Sequence, residues 1–252
     1  MDVEVRDAAT VALVRDGTDG LETWLLTRVK QMVFAGGMSV FPGGRVDDAD
    51  ADLPFAPGAA TGVAERFGCD GVLARSLLGA AVRETFEEAG VLLASPATDL
   101  SGARADVELG RVSFGELLRA NGMSIDGQAL RPWARWITPP GETARRYDTR
   151  FFVGALPGGA EAQDLTTESS EASWIGIGEA LEQAQRGERG MLPPTLATLA
   201  SLLPYASVAE ALDAAAGRST APIQPEIRVV GDRLVAELPD GTAIDVPASL
   251  LR

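Results

Sequence analysis

Histidine is absent from this 252-residue chain, and the absence removes whole classes of chemistry. Ser-His-Asp and Cys-His catalysis and every histidine-ligated metal site are excluded. Cysteine occurs once, at Cys69, so neither an intrachain disulfide nor a Cys-x-x-Cys site can form. Its neighbours, Phe67-Gly68 and Asp70-Gly71, read as a turn, and the thiol reads as a bystander. Lysine also occurs once, as Lys30. No apolar run approaches the ~18 residues of a membrane span, so none is expected. The segment Met1 to Asp7 lacks the basic and apolar regions of a signal peptide. The chain ends Leu250-Leu251-Arg252 rather than on a peroxisomal Ser-Lys-Leu address. A cytoplasmic location is the expectation.

Acid is what the chain has in excess: 36 Asp and Glu against 22 Lys and Arg, a formal charge of −14. A broad nucleic-acid surface is not expected, because phosphate contacts need clustered basic residues. Carboxylates are the main catalytic groups left. Any anionic substrate must meet metal ions and a few local arginines, with Arg28, Arg83, Arg145 and Arg146 nearest the motifs described below.

Three of the acids stand where an ordinary helix disfavours them. The segment Ala80-Ala81-Val82-Arg83-Glu84-Thr85-Phe86-Glu87-Glu88-Ala89-Gly90-Val91 reads as the end of a helix over 72–89, with Gly90 as its C′ glycine. Glu84, Glu87 and Glu88 at i, i+3 and i+4 share one face and repel one another. They also crowd the negative end of the helix dipole, where Lys or Arg is favoured. A divalent cation with oxygen ligands, magnesium or manganese, resolves both conflicts. An acidic solvated face is the plainer alternative on these residues alone.

Upstream lies Phe41-Pro42-Gly43-Gly44, a turn that lets backbone approach another group closely. Together with Arg83-Glu84-Thr85-Phe86-Glu87-Glu88-Ala89-Gly90-Val91 it resembles the Nudix hydrolase box, G-x5-E-x7-R-E-U-x-E-E-x-G-U with U bulky and apolar. Arg83, Glu84, Glu87, Glu88, Gly90 and Val91 match, and Thr85 departs at the first U. Gly44 and Arg83 are 39 positions apart where the pattern has 14. Counted back from Arg83, the place of the first glutamate holds Arg75, so that glutamate is missing in this register. Asp47, Asp48, Asp50 and Glu65 are the candidates to replace it.

The interrupted box resembles a Nudix subgroup related to the mammalian peroxisomal coenzyme A diphosphatase. Leu25-Leu26-Thr27-Arg28 followed by Gly37-Met38-Ser39-Val40-Phe41-Pro42-Gly43-Gly44 is similar to the coenzyme A-type Nudix motif, one residue short and without its internal arginine, near Val33. Trp136-Ile137-Thr138-Pro139 and Arg146-Tyr147-Asp148-Thr149-Arg150-Phe151-Phe152 resemble the same subgroup. The resemblance spans roughly residues 8 to 215 and implies a mixed-sheet α/β/α sandwich. It implies a domain over 1–215 with 46–71 as an inserted loop, followed by an extension over 216–252.

The implied activity is metal-dependent hydrolysis of a nucleoside diphosphate linked to another group, with coenzyme A or acyl-coenzyme A as the chosen substrate. Action on NADH or ADP-ribose, or a non-catalytic nucleotide-binding regulator, are the alternatives. The implied roles are Glu87 and Glu88 as main metal ligands and Glu84 as a further ligand or the base for water. Arg83 would orient a glutamate, and Gly43 and Gly44 would hold the loop beside the helix. Glu168 or Glu171 is a candidate further ligand, each equally readable as a surface acid. Arg28, Arg145 and Arg146 are candidates for substrate phosphate, since the guanidinium fork suits bidentate contacts. Trp133, Trp136, Tyr147, Phe151 and Trp174 have the chemistry to stack a base but read mostly as core.

The remaining elements follow from local pattern. Runs at 8–14 and 22–28 flank Asp16-Gly17-Thr18-Asp19-Gly20, a hairpin signal. Residues 46–71, with Pro54, Pro57 and several Gly and Asp, read as a partly irregular loop. A short helix is expected over 113–121, strands over 132–138, 147–156 and 170–175, and helices near 177–186 and 194–214, the last broken at Pro204. From about 222 the pattern predicts a three-strand β-meander, as a stabilising appendage, a partner of the main sheet, a cover for the site or a homodimer contact.

Overall fold

The computed structural model describes residues 3–29, 36–140, 145–164, 169–231 and 233–246. Lys30, Val33, Glu168, Asp232 and the C-terminal Leu250-Leu251-Arg252 lie outside them. Strands β1 (Val5–Gly17) and β2 (Gly20–Arg28) form the expected hairpin, with Gly17 opposite Gly20. Short strands β3 (Ser39–Val40) and β4 (Gly43–Arg45) follow, then a 3-10 turn at Asp48–Asp52. Helices α1 (Thr61–Phe67), α2 (Gly71–Ala89), α3 (Arg104–Glu108) and α4 (Phe114–Ala120) precede strands β5 (Leu130–Ile137), β6 (Arg146–Ala155) and β7 (Ser169–Gly176). Helices α5 (Ile177–Gln185), α6 (Pro193–Leu202) and α7 (Val208–Ala214) come next, then β8 (Pro222–Ile223), β9 (Glu226–Val230), β10 (Arg233–Glu237) and β11 (Ala243–Val246).

The main sheet runs β3-β2-β1-β6-β5-β8, with β4 also on β1 and β7 also on β2. It is mixed: β1–β6 and β5–β8 are parallel, the other pairs antiparallel. Strand β1 is buried almost continuously from Ala8 to Val14 because both faces of the sheet are covered. Ala9, Val11 and Leu13 point into a core shared with α1, α2 and α4, through residues such as Phe67, Leu77, Phe86 and Leu118. Ala12 and Val14 point the other way, to Ile177, Leu199 and Ala211 of α5, α6 and α7. This is the α/β/α sandwich, built from the period-2 alternation of a strand covered on two faces.

Residues 46–71 are more ordered than their composition predicts. Val63 and Phe67 bury one side of α1, and Gly68 closes it at φ 62°. Phe67 packs edge-on against Phe152, with ring centroids 5.5 Å apart. The helix expected over 194–214 is two helices, and Ser207 caps the second by accepting from the Glu210 N–H. The meander forms as a separate three-stranded sheet, β11-β10-β9. Among the described residues no helix is long and apolar enough to cross a membrane.

Candidate active site

The sheet opens to receive the glycine turn. Strand β2 pairs with β1 only through Gly20–Thr23, and β1 pairs with β4 further back, at Ala8–Thr10. Beyond that fork β2 pairs instead with β3, at Leu26–Val40 and Thr27–Ser39. Phe41-Pro42 joins the two short strands, and the Val11 N–H donates to the Pro42 carbonyl at 2.9 Å. The turn is therefore wedged between two diverging strands and supported on both sides.

Helix α2 crosses this wedge. Asp70 caps its start, accepting from the Val72 and Leu73 N–H groups, and Gly90 ends it at φ 70°. The Thr85 side chain, out of pattern at an apolar place, is fully buried and donates to the Ala81 carbonyl at 2.7 Å. Glu88 is 8% exposed, and its Oε2 accepts from the Gly43 N–H at 2.8 Å. A Cβ on Gly44 would lie 2.6 Å from the Glu84 carboxyl carbon, and one on Gly43 would overlap Thr10. Both glycines are thus required by close approach, one to the acidic helix and one to β1.

Arg83 ties the cluster together. Its Nε and Nη2 grip Asp50 Oδ1 and Oδ2 at 2.8 and 3.0 Å. Its Nη1 donates to Glu84 Oε1 at 2.8 Å and Glu87 Oε2 at 3.1 Å, and Nη2 also donates to the Arg45 carbonyl at 3.1 Å. Five bonds use the five donors of a guanidinium, so none is left for a ligand in this arrangement.

Asp50 corrects the register read from Arg83. It lies six residues after Gly44, the place of the box's first glutamate when counted from the glycine. It is 1% exposed, whereas Glu65 is exposed and Asp47 approaches Arg83 only to 4.0 Å. The insertion therefore falls after the acid, and Asp50 returns to the arginine across 33 residues of chain. A second residue had no signal in the sequence. Arg104 of α3 is 4% exposed and donates to the Glu87 carbonyl at 2.5 Å, placing a cation at the negative end of α2.

The other candidates are dispersed. Glu171 is exposed on β7 opposite Thr27 and is not part of the Arg83 network. Arg28 lies at the end of β2 beside Met38, and Arg146 at the start of β6 beside Val5. Arg146 stands five residues of β1 away from Thr10, the partner of Gly43, roughly 17 Å by strand rise, whereas Arg28 is on β2, on the other side of β1. The Arg146 guanidinium donates to the Thr138 carbonyl, and Arg145 is exposed just before β6. Trp133, Trp136 and Phe151 are buried core, and Trp174 packs edge-on against Trp24. Asp148 is structural, gripped by Arg135 at 2.9 and 2.6 Å.

Burial pushes the Glu87 carboxyl up to about 7, with Arg83 opposing and Glu84 reinforcing the shift. Burial raises Glu84 as well. The cluster thus holds more buried negative charge than one arginine neutralises, which fits a divalent cation with oxygen ligands. Among the described residues no three carboxyl groups converge on one point. Arg83 draws Glu84 and Glu87, and Gly43 draws Glu88, so a cation has to draw side chains off these partners.

A pH dependence follows. Glu87 in the metal-free fold holds its proton up to about pH 7, whereas the unfolded chain releases it near 4.5. Its contribution to stability is full below about 4.5 and is lost as pH rises through 7. Melting of EDTA-treated protein from pH 5 to 8 should show this loss, on the order of 1–3 kcal/mol, as a difference between wild type and Glu87→Gln. Parallel melting curves for the two proteins would contradict the buried, repelled carboxyl.

Comparisons with known proteins identify the family and the fold. The family described as the NUDT19 Nudix domain matches residues 73–202, just over half of the chain. Acyl-coenzyme A diphosphatase NUDT19 of Xenopus laevis is 26% identical over 240 residues, covering 78% of this chain and 63% of its own. The Gallus gallus protein of the same name is 28% identical over 241 residues, covering 74% and 62%. This chain therefore spans less than two thirds of the length of those relatives. A NUDIX hydrolase from Alicyclobacillus acidocaldarius has the same fold, with TM-score 0.71 and 28% identity over 87% of this chain and 99% of that one.

Proposed function

We propose that this chain, which belongs to the Nudix family of the NUDT19 type, hydrolyses the diphosphate of coenzyme A or an acyl derivative. The observation that carries the reading is the junction of Glu88 and Glu84 with Gly43 and Gly44 at the fork of the sheet, with Glu87 joined to Glu84 through Arg83. Nudix hydrolases generally use divalent metal ions, and magnesium or manganese suits an all-carboxylate site. The ion would supply positive charge to the diphosphate oxygens and acidify a water molecule.

The protein's own groups prepare that chemistry. Glu87 and Glu88 would hold the ion, with Glu84 as a further ligand or as the base that takes a proton from water. The Gly43 N–H fixes Glu88, and Arg83 fixes Glu84 while Asp50 fixes Arg83. Arg83 is a positioning residue in this scheme.

Coenzyme A is favoured by a second observation. The pairing of β2 with β3 brings Leu25-Leu26-Thr27-Arg28 alongside Gly37-Met38-Ser39-Val40, the two halves of the coenzyme A-type motif. The Arg28 N–H donates to Met38 at 3.0 Å, and the Gly37 N–H donates to Arg28 at 2.9 Å. Curated relatives bear the name acyl-coenzyme A diphosphatase. Cleavage would yield 3′,5′-ADP and phosphopantetheine.

The 3′-phosphate of coenzyme A needs a cationic partner, from Arg28 on one flank or Arg145 and Arg146 on the other. A charge-assisted contact is worth roughly 1.5–3 kcal/mol, about tenfold to a hundredfold in kcat/KM. Dephospho-coenzyme A should be the poorer substrate by that factor. Because β2 and β6 lie on opposite sides of β1, alanine at one flank should erase the difference and alanine at the other should not. Equal rates for the two substrates, or faster cleavage of NADH or ADP-ribose, would contradict the coenzyme A assignment.

A further inference from the structure

The C-terminal sheet leaves an edge that soluble proteins normally protect. Strand β9 ends the order β11-β10-β9, and all five of its residues are exposed. Val229 is 74%, Val230 52% and Ile227 42% exposed. Their neighbours on β10 are not: Leu234, opposite Val229, and Ala236, opposite Ile227, are buried. The sheet's inner face is therefore covered at β10, and β11 lies against α6, while β9 overhangs the body with its apolar side uncovered. Among the described residues no strand pairs with the outer edge of β9, and a short, apolar edge of this kind is a template for another strand.

The charges on β9 point to the occupant. Glu226 stands directly opposite Glu237 of β10, a like-charge pair, and Arg228 bridges the two at 3.0 and 2.9 Å. One arginine thus serves two carboxylates. An antiparallel pairing of β9 with itself, centred on Ile227, sets Glu226 against Arg228 of the other copy, twice by symmetry, and Val229 against Pro225 just before the strand. It also stacks the two Ile227 side chains on each other. We propose that β9 pairs in this register with β9 of a second copy of this chain, joining the two meanders into one six-stranded sheet about a two-fold axis. Three directly paired residues per strand bury less than the ~800 Å² per partner of a standard interface, so the dimer is weak, with a dissociation constant on the order of 100 µM.

Sedimentation equilibrium of the whole chain from about 5 to 500 µM tests this. The mass should rise from the 26.3 kDa monomer toward twice that value across the range. Ile227→Lys, which opposes two like charges on the axis, should remain monomeric throughout with an unchanged melting temperature. Arg228→Glu should weaken association at least tenfold, and adding Glu226→Arg should restore it by exchanging the signs. A monomer at every concentration, or an Ile227→Lys variant that dimerises like wild type, would overturn the proposal. Failure of the exchanged pair to recover would overturn the register.

Discussion

Glu88→Gln should lower kcat about a thousandfold while the fold is retained, and Glu87→Gln should do nearly the same. A thousandfold corresponds to roughly 4 kcal/mol of transition-state stabilisation, the scale expected when a ligand to a catalytic ion is lost. Retention of the fold follows from geometry. A glutamine at 88 keeps an oxygen that can accept from the Gly43 N–H, so the turn stays seated on α2. At 87 the change removes a buried charge that Glu84 repels and that burial penalises. The metal-free Glu87→Gln protein should therefore melt slightly higher than wild type near neutral pH. Magnesium or manganese should raise the wild-type melting temperature, because a ligand bound to the folded state stabilises it by mass action, and both variants should lose most of that increment. Near-normal turnover in both variants would remove the metal from these two side chains.

Asp50→Ala should be the most damaging change outside the acidic helix. It leaves Arg83 largely buried without its bidentate partner, and breaking such a pair costs about 3–5 kcal/mol where the remaining charge has no other contact. Arg83 keeps Glu84, Glu87 and the Arg45 carbonyl, so a loss of about 2–3 kcal/mol is expected here. Because Arg83 would then be held by the glutamates alone, their approach to an ion should suffer too. We expect kcat to fall about tenfold to a hundredfold with little change in KM, and metal affinity to fall in parallel. Asp50→Glu should recover part of both effects. The same substitution at Glu65 should be silent, since that side chain is exposed on α1. Denaturant melts and metal titrations of the four proteins would decide it; equal behaviour of Asp50→Ala and Glu65→Ala would show that the ion pair positions nothing.

The contrast between Asp50 and Glu88 marks how far the sequence was legible. Signals confined to one turn of helix or one hairpin read well: the spacing of Glu84, Glu87 and Glu88, Gly90 at the end of α2, and the glycines between β1 and β2. Each depends on backbone geometry within a few residues. The β-meander and the five long strands of the main sheet, β1, β2, β5, β6 and β7, were legible for the same reason, from alternation and turn residues, whereas the two- and three-residue strands β3, β4 and β8 were not. What was not legible depended on chain returning from a distance. Counting back from Arg83 hid Asp50, because the inserted residues lie between acid and arginine, not between glycine and acid. Arg104 reaches the end of α2 only through the packing of α3, and nothing near Glu87 announces it. The helix α1 was hidden by the Pro, Gly and Asp around it; burial of Val63 and Phe67 outweighs those local preferences. For Glu168 and Glu171 the pattern offered no choice. Glu171 is exposed on β7, and Glu168 lies outside the described residues.

The most direct test of the central claim is the release of 3′,5′-ADP from coenzyme A by the whole chain, followed by mass spectrometry as magnesium or manganese is added and then withdrawn with EDTA. The account predicts cleavage at the diphosphate that requires the ion, stops in excess EDTA and returns when the metal is restored. Undiminished cleavage in excess EDTA, or no cleavage of any nucleoside diphosphate substrate at any metal concentration, would contradict it.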